Sequence, residues 1–176
     1  LTGNEHTVEY NHLHDICQWT SDAGAFYCGR DWGLRGNRLR YNFIHDVTTR
    51  FGGTDVNGFY LDSCASGLTL FGNVCYIIAG RALFNGGGRD NDWENNVVAQ
   101  CGTFHHGDTR GTTEINNTPG DSYNLLEKIE AVNYQNLPWS DAYPALAAIP
   151  DDYSLIGPYK TPGGTVFSRN VSWQNT

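Results

Sequence analysis

Tyr41-Asn-Phe-Ile-His-Asp-Val47 repeats an earlier stretch, Tyr10-Asn-His-Leu-His-Asp-Ile16, at an interval of 31 residues. A weaker third copy follows at the same interval. Asn11, Asn42 and Asn73 each stand three residues after an apolar residue (Val8, Leu39, Leu70) and two before a smaller or apolar one (Leu13, Ile44, Cys75). The register returns at Trp93, Asn96 and Val98, and again at Phe167 and Asn170. One short unit repeated every 20 to 40 residues or so marks a solenoid.

The unit reads as strand, because Val8 and Tyr10, like Leu39 and Tyr41, alternate with the polar Glu9 and Arg40. A recurring Asn predicts an amide ladder between coils about 4.8 Å apart, with each Asn also expected to hold a left-handed corner. The fold class that follows is all-β, a right-handed parallel β-helix with a partly helical insertion. The ladder strands are expected over 7–13 and 38–44. Second strands are expected over 25–28, 58–61 and 82–85, aligned through Phe26-Tyr27 and Phe59-Tyr60.

Composition agrees with many tight corners and little helix: 21 of 176 residues are Gly, and 39% are hydrophobic. A formal net charge of −8 argues against nucleic acid or an anionic membrane surface as the main partner. No apolar run reaches the roughly 18 residues of a membrane span. With no Met, no signal peptide and both ends in mid-strand, the sequence reads as an internal piece of a longer chain. Flanking coils or neighbouring copies are then expected to cap the ends of the stack. Of the five Cys, Cys75 occupies an inward position, and one or two disulfides among Cys17, Cys28, Cys64 and Cys101 are open. Asn116 and Asn170 stand in glycosylation sequons.

The coils occupy residues 1–111. An insertion spans 112–163, and 164–176 return to the stack, the Asn interval there widening to 74 residues. Within the insertion a helix is expected after an Asp121 or Ser122 cap, with Leu125, Leu126, Ile129 and Val132 on one face. A second fits 140–149, with Pro144 in its first turn. Such an insertion commonly walls a groove.

The densest polar region is Ser21-Asp-Ala-Gly-Ala-Phe-Tyr27-Cys-Gly-Arg30-Asp31, facing Asp55-Val-Asn-Gly-Phe-Tyr60-Leu-Asp62-Ser63 in the next coil. Aligning Tyr27 with Tyr60 stacks Asp22 on Asp55 and Asp62 on Gly29, with Asp31 two residues beyond. Carboxylates gathered on coils about 4.8 Å apart fall near the separations that glycoside hydrolysis uses, and their proximity can hold one of them protonated. Tyr27 and Tyr60 can stack against a sugar or simply on each other. His106, Asp108 and Arg110 form a second cluster able to move a proton and hold a hydroxyl or carboxylate. No metal is expected, because the other histidines are spread over distant coils without a convincing third ligand.

These stretches, together with Ala79-Gly-Arg-Ala-Leu-Phe-Asn-Gly-Gly-Gly-Arg-Asp-Asn91, His106-Gly-Asp-Thr-Arg-Gly111 and Pro138-Trp139-Ser140, resemble secreted bacterial β-helix proteins of the pectate-lyase-like superfamily, and most nearly glycoside hydrolase family 141. The resemblance implies α-L-fucosidase or xylanase-type activity, a secreted or extracellular location and a catalytic Asp pair that matches Asp22 and Asp62. Ser63 stands where a second adjacent Asp is expected, and Asp31 is the reserve partner for Asp62. The leading expectation is therefore a polysaccharide-active enzyme that needs no cofactor, in which Tyr27, Arg30, Tyr60, His106, Asp108 and Arg110 hold the sugar. A polysaccharide lyase, which would call on Ca²⁺ or a basic side chain, is one rival. A non-catalytic carbohydrate-binding or structural β-helix of an extracellular assembly is the other.

Overall fold

A computed structural model describes residues 1–115 and 119–176. Asn116, the first of the two sequons, lies outside the described residues. The first coil contributes β1 (Thr7–Glu9), β2 (His12–His14) and β3 (Ala23–Gly29); the second, β4 (Arg38–Arg40), β5 (Phe43–Val47) and β6 (Val56–Asp62). The third contributes β7 (Thr69–Phe71), β8 (Val74–Ile78) and β9 (Arg81–Gly86); the fourth, β10 (Asp92–Glu94), β11 (Val97–Ala99) and β12 (Thr103–Asp108). After the insertion, β13 (Val166–Ser168) and β14 (Val171–Trp173) start a fifth. Every pairing is parallel and joins equivalent strands of successive coils, which makes the protein a parallel β-helix. Sheet A runs β1-β4-β7-β10-β13, sheet B β2-β5-β8-β11-β14, and sheet C β3-β6-β9-β12.

The stretches 7–13 and 38–44 are each two strands in different sheets, because Tyr10 (φ 55°) and Tyr41 (φ 55°) turn the chain between them. The left-handed corner residue is therefore not the ladder Asn but the residue before it, a position that Gly72, Asn95 and Arg169 fill in the later coils. The Asn itself is left free to bond along the stack. Its Nδ2 donates to the Oδ1 of its equivalent from Asn11 to Asn42 (2.9 Å), Asn42 to Asn73 (3.0 Å), Asn73 to Asn96 (3.0 Å) and Asn96 to Asn170 (2.9 Å).

Inside the stack, inward side chains form columns such as Val8, Leu39, Leu70, Trp93 and Phe167 in sheet A, and Leu13, Ile44, Cys75 and Val98 in sheet B. Phe26 and Phe59 stack in sheet C with ring centroids 5.1 Å apart. All five cysteines are free thiols, so the disulfides left open by the sequence do not form; four of the five are buried as small core residues.

The insertion contains α1 (Gly111–Glu114), α2 (Leu125–Glu130), α3 (Trp139–Ala142), α4 (Pro144–Ala147) and a 3-10 turn (Gly157–Lys160). The single helix expected over 140–149 is broken at Tyr143, whose backbone is non-helical (φ −136°, ψ 68°), and Pro144 opens α4. Asp121 accepts from the N–H groups of Tyr123 and Asn124, each at 2.8 Å, so it closes the turn ahead of α2 rather than capping it. Leu125, Leu126 and Ile129 are buried, whereas Val132 faces outward. This second core takes in Trp32 and Cys64, which follow β3 and β6. The insertion is thereby fastened beside the C-terminal ends of the sheet C strands.

Candidate functional site

Strand register places the outward side chains of sheet C in two columns. Tyr27, Tyr60, Phe84 and His106 are paired in order across β3, β6, β9 and β12. The column two residues along the strands holds Gly29 and Asp62, which pair directly, then Gly86 and Asp108, which pair likewise. The aromatic column is continuous. Tyr27 and Tyr60 meet edge to face at 5.2 Å, Tyr60 and Phe84 stack at 4.6 Å, and Phe84 meets His106 edge to face at 4.8 Å. In the polar column a Cβ on Gly86 would lie 3.1 Å from Arg110 Cζ, so the missing side chain makes the bed in which the guanidinium lies.

Asp62 is the hub. It accepts from Tyr27 Oη (3.0 Å), Ser63 Oγ (3.2 Å) and Arg110 Nη1 (2.8 Å), and it is only 8% exposed. Ser63, where a second Asp is expected, thus supports Asp62 instead of adding charge. Arg110 also clamps Asp108 through Nε (2.9 Å) and Nη2 (2.7 Å), bridging the two carboxylates. Burial works against the charge on Asp108, but the Arg110 bonds outweigh it and hold that carboxyl below its ordinary range. His106 Nε2 lies 3.3 Å from Asp108 Oδ2 at the end of the chain of contacts.

Asp22 reaches the same cluster by a bend in the sheet. Ladder pairing skips Ala25 and Gly58 between β3 and β6, and skips Phe104 between β9 and β12. The bend requires Gly58, whose added Cβ would stand 2.6 Å from the Ala82 carbonyl oxygen. Beyond it the exposed Asp22 (φ 49°) accepts from Tyr60 Oη at 3.0 Å. Each tyrosine of the crossed pair therefore holds one carboxylate: Tyr27 holds Asp62, and Tyr60 holds Asp22. Burial, then Asp62, pushes the Tyr27 phenol up to about 12; burial followed by Asp62 and Asp22 raises Tyr60 as well.

Asp31 is not brought to this cluster. Its Oδ1 accepts from Gly33 N–H at 2.7 Å, closing a local turn. Asp55 is turned toward Arg81 at 3.4 Å. Arg30 stands at the wall, with its guanidinium 5.1 Å from the ring centre of Tyr123. Tyr123, in turn, touches Ser63 Oγ (3.3 Å) and donates to Glu114 (2.8 Å). Three groups here escaped the sequence reading. Phe84 was legible, since it continues the Tyr27 and Tyr60 register. Tyr123 and Glu114 belong to an insertion with no repeat to align.

Electrostatically the site is rich in carboxylates, with one guanidinium, Arg110, committed to Asp62 and Asp108. Among the described residues no group of three or more His, Cys, Asp or Glu side chains is arranged to hold a metal ion, and no helix is long and apolar enough to cross a membrane. No protein-family model, no curated protein and no solved structure matches the chain.

Proposed function

We propose that the outer face of sheet C binds a polysaccharide and hydrolyses a glycosidic bond, with Asp22 and Asp62 as the working carboxylates. One observation carries this reading: the crossed Tyr27 and Tyr60 rings each donate to one of the two aspartates, and Tyr27 itself stands 44% exposed beside them while Tyr60 and Phe84 are buried behind it. A sugar ring stacks through its C–H surface on the exposed Tyr27, while the carboxylates supply the proton transfers. Asp62, fixed by three donors, takes the part of nucleophile or base. Asp22, exposed and held by one phenol, delivers the proton to the leaving oxygen. Arg30, His106, Asp108, Arg110 and Tyr123 line the route of the chain along the groove. The resemblance to glycoside hydrolase family 141 supports the same reaction class and a secreted setting.

The test is incubation with a panel of plant and bacterial polysaccharides, following reducing ends and absorbance near 235 nm together. Hydrolysis yields reducing ends without an unsaturated product. A rise near 235 nm would replace this reading with a lyase, and silence in both channels across the panel would overturn the catalytic reading. The second reading, a non-catalytic module, draws on the outer strands β13 and β14, where Val166, Phe167, Val171 and Trp173 stand exposed and a further coil or a second copy would cover them.

A further inference from the structure

The repeated His-Asp pair lies on sheet B, not on sheet C, and the proposed hydrolysis makes no use of it. Register sets His14 directly beside His45, with His12 beside Phe43. The rings of His12, His14 and His45 form a compact triangle, with centroids 4.7, 4.9 and 5.1 Å apart. His45 Nδ1 lies 2.6 Å from Asp46 Oδ2, and His14 Nδ1 lies 2.7 Å from Asp15 Oδ2. A carboxylate only accepts, so each of these Nδ1 atoms carries the proton and each Nε2 presents a lone pair. The Nε2 of His45 points at the Nε2 of His12, 2.7 Å away.

From this geometry we infer a two-histidine chelate for a divalent first-row transition metal of the copper class, with His12 and His45 as the nitrogen ligands. Ions of this class bind imidazole nitrogen about 2.0 to 2.1 Å away. Two nitrogens in cis positions of a square-planar ion are then about 2.9 Å apart, against about 3.3 Å for a tetrahedral one. The Nε2 atoms meet almost head-on, 2.7 Å apart with ring centroids 4.9 Å apart, so on binding each ring turns by about 45° to aim its lone pair at the ion while the nitrogens open by a few tenths of an ångström to the square-planar value. That favours Cu²⁺ or Ni²⁺ over Zn²⁺, and affinity for nitrogen sites rises in the same direction, with Cu²⁺ strongest. Asp46 already supplies the carboxylate–histidine bond that orients metal-ligating imidazoles. With the ion absent, the His12–His45 contact is a hydrogen bond in which His12 Nε2 donates. On binding, that proton moves to the Nδ1 of His12 through solvent, so the ring stays neutral and no net proton is lost. Water or a donor from a solute completes the coordination. His14 stacks flat on His45, 6° from parallel, whereas it is His12 whose Nε2 faces that of His45.

The experiment is titration of the full chain with Cu²⁺ alone by calorimetry, paired with electron paramagnetic resonance of the sample at one equivalent. The expected result is one site whose spectrum is tetragonal and shows coupling to two imidazole nitrogens. Binding should be lost in His12→Ala, an exposed position where folding is not at risk, and in His45→Ala. Asp46→Asn should weaken it by about 10- to 100-fold, the range that an orienting carboxylate contributes. His6→Ala should leave it unchanged, and Zn²⁺ should bind more weakly than Cu²⁺. Copper binding that survives both His12→Ala and His45→Ala, a spectrum without nitrogen coupling, or tighter binding of Zn²⁺ than of Cu²⁺ would each overturn the assignment.

Discussion

Replacing Asn73 by Ala tests the device that sets coil spacing. Its buried side chain makes four hydrogen bonds. Oδ1 accepts from the Asn42 backbone N–H and from Asn42 Nδ2, both at 3.0 Å, while Nδ2 donates to the Leu39 carbonyl at 2.9 Å and to Asn96 Oδ1 at 3.0 Å. Truncation leaves two main-chain groups inside the stack without these partners, the Asn42 N–H and the Leu39 carbonyl. Each buried unpaired group costs about 1 to 3 kcal/mol, so a loss of roughly 4 kcal/mol is expected, a large part of the 5 to 15 kcal/mol or so of a typical domain. At about 2 to 4 °C per kcal/mol for a chain of this length, the midpoint of thermal unfolding should fall by about 8 to 16 °C. Asn11 is the built-in control. It sits on the exposed end of the ladder and only donates from its side chain, to the Glu9 carbonyl and to Asn42 Oδ1, so Asn11→Ala should cost less than about 1 kcal/mol. Urea unfolding followed by far-ultraviolet circular dichroism measures both. Equal losses for the two variants would refute the claim that the amide column carries the stack.

Gly58→Ala should destabilise by at least about 2 kcal/mol in the same assay, since its Cβ would meet the Ala82 carbonyl oxygen at 2.6 Å and force β6 from β9. Tyr27 keeps its proton to about pH 12, so its pKa is higher in the folded than in the unfolded chain. Its contribution is therefore fully present below the unfolded phenol value of about 10 and is lost as pH rises through about 12. Tyr27→Phe should flatten that alkaline loss, read as urea midpoint against pH. Asp108 has the opposite sign, because its depressed carboxyl contributes stability above the unfolded value of about 4 that is lost as pH falls through the folded one. Arg110→Gln removes the donors responsible, so the stability gap between the wild-type chain and this variant should shrink on acidification below about pH 4.

Repetition made the stack legible: two nearly identical heptapeptides and a recurring Asn marked the coils, and the Phe26-Tyr27 and Phe59-Tyr60 pairs marked the register of the second strands. The corners were harder to place. A residue such as Tyr10 or Tyr41 carries no turn chemistry of its own, and its left-handed backbone is imposed by the amide ladder beside it. Asp62 beside Gly29 followed from register, whereas His106 and Asp108 stood as a separate cluster that only the pairing of β12 with β9 brings to the same face. The bend that returns Asp22 to Tyr60 was legible only as a glycine. What it does depends on the Ala82 carbonyl in a neighbouring coil. Tyr123 was hidden because its position depends on how the insertion packs around Trp32 and Cys64, which no repeat encodes.

Hydrolysis at this site requires Asp22 and Asp62 to work together, while Asp31 only shapes a turn. With a polysaccharide that the wild-type chain cleaves, kcat/KM for reducing-end release should be measured for Asp22→Asn, Asp62→Asn and Asp31→Asn. The first two should lose about 100-fold or more, the scale of a positioned proton-transfer group. The third keeps the oxygen that accepts from Gly33 N–H and should stay within a few-fold of wild type. Wild-type rates in Asp62→Asn, or a loss in Asp31→Asn as deep as in the other two, would contradict the assignment of the site.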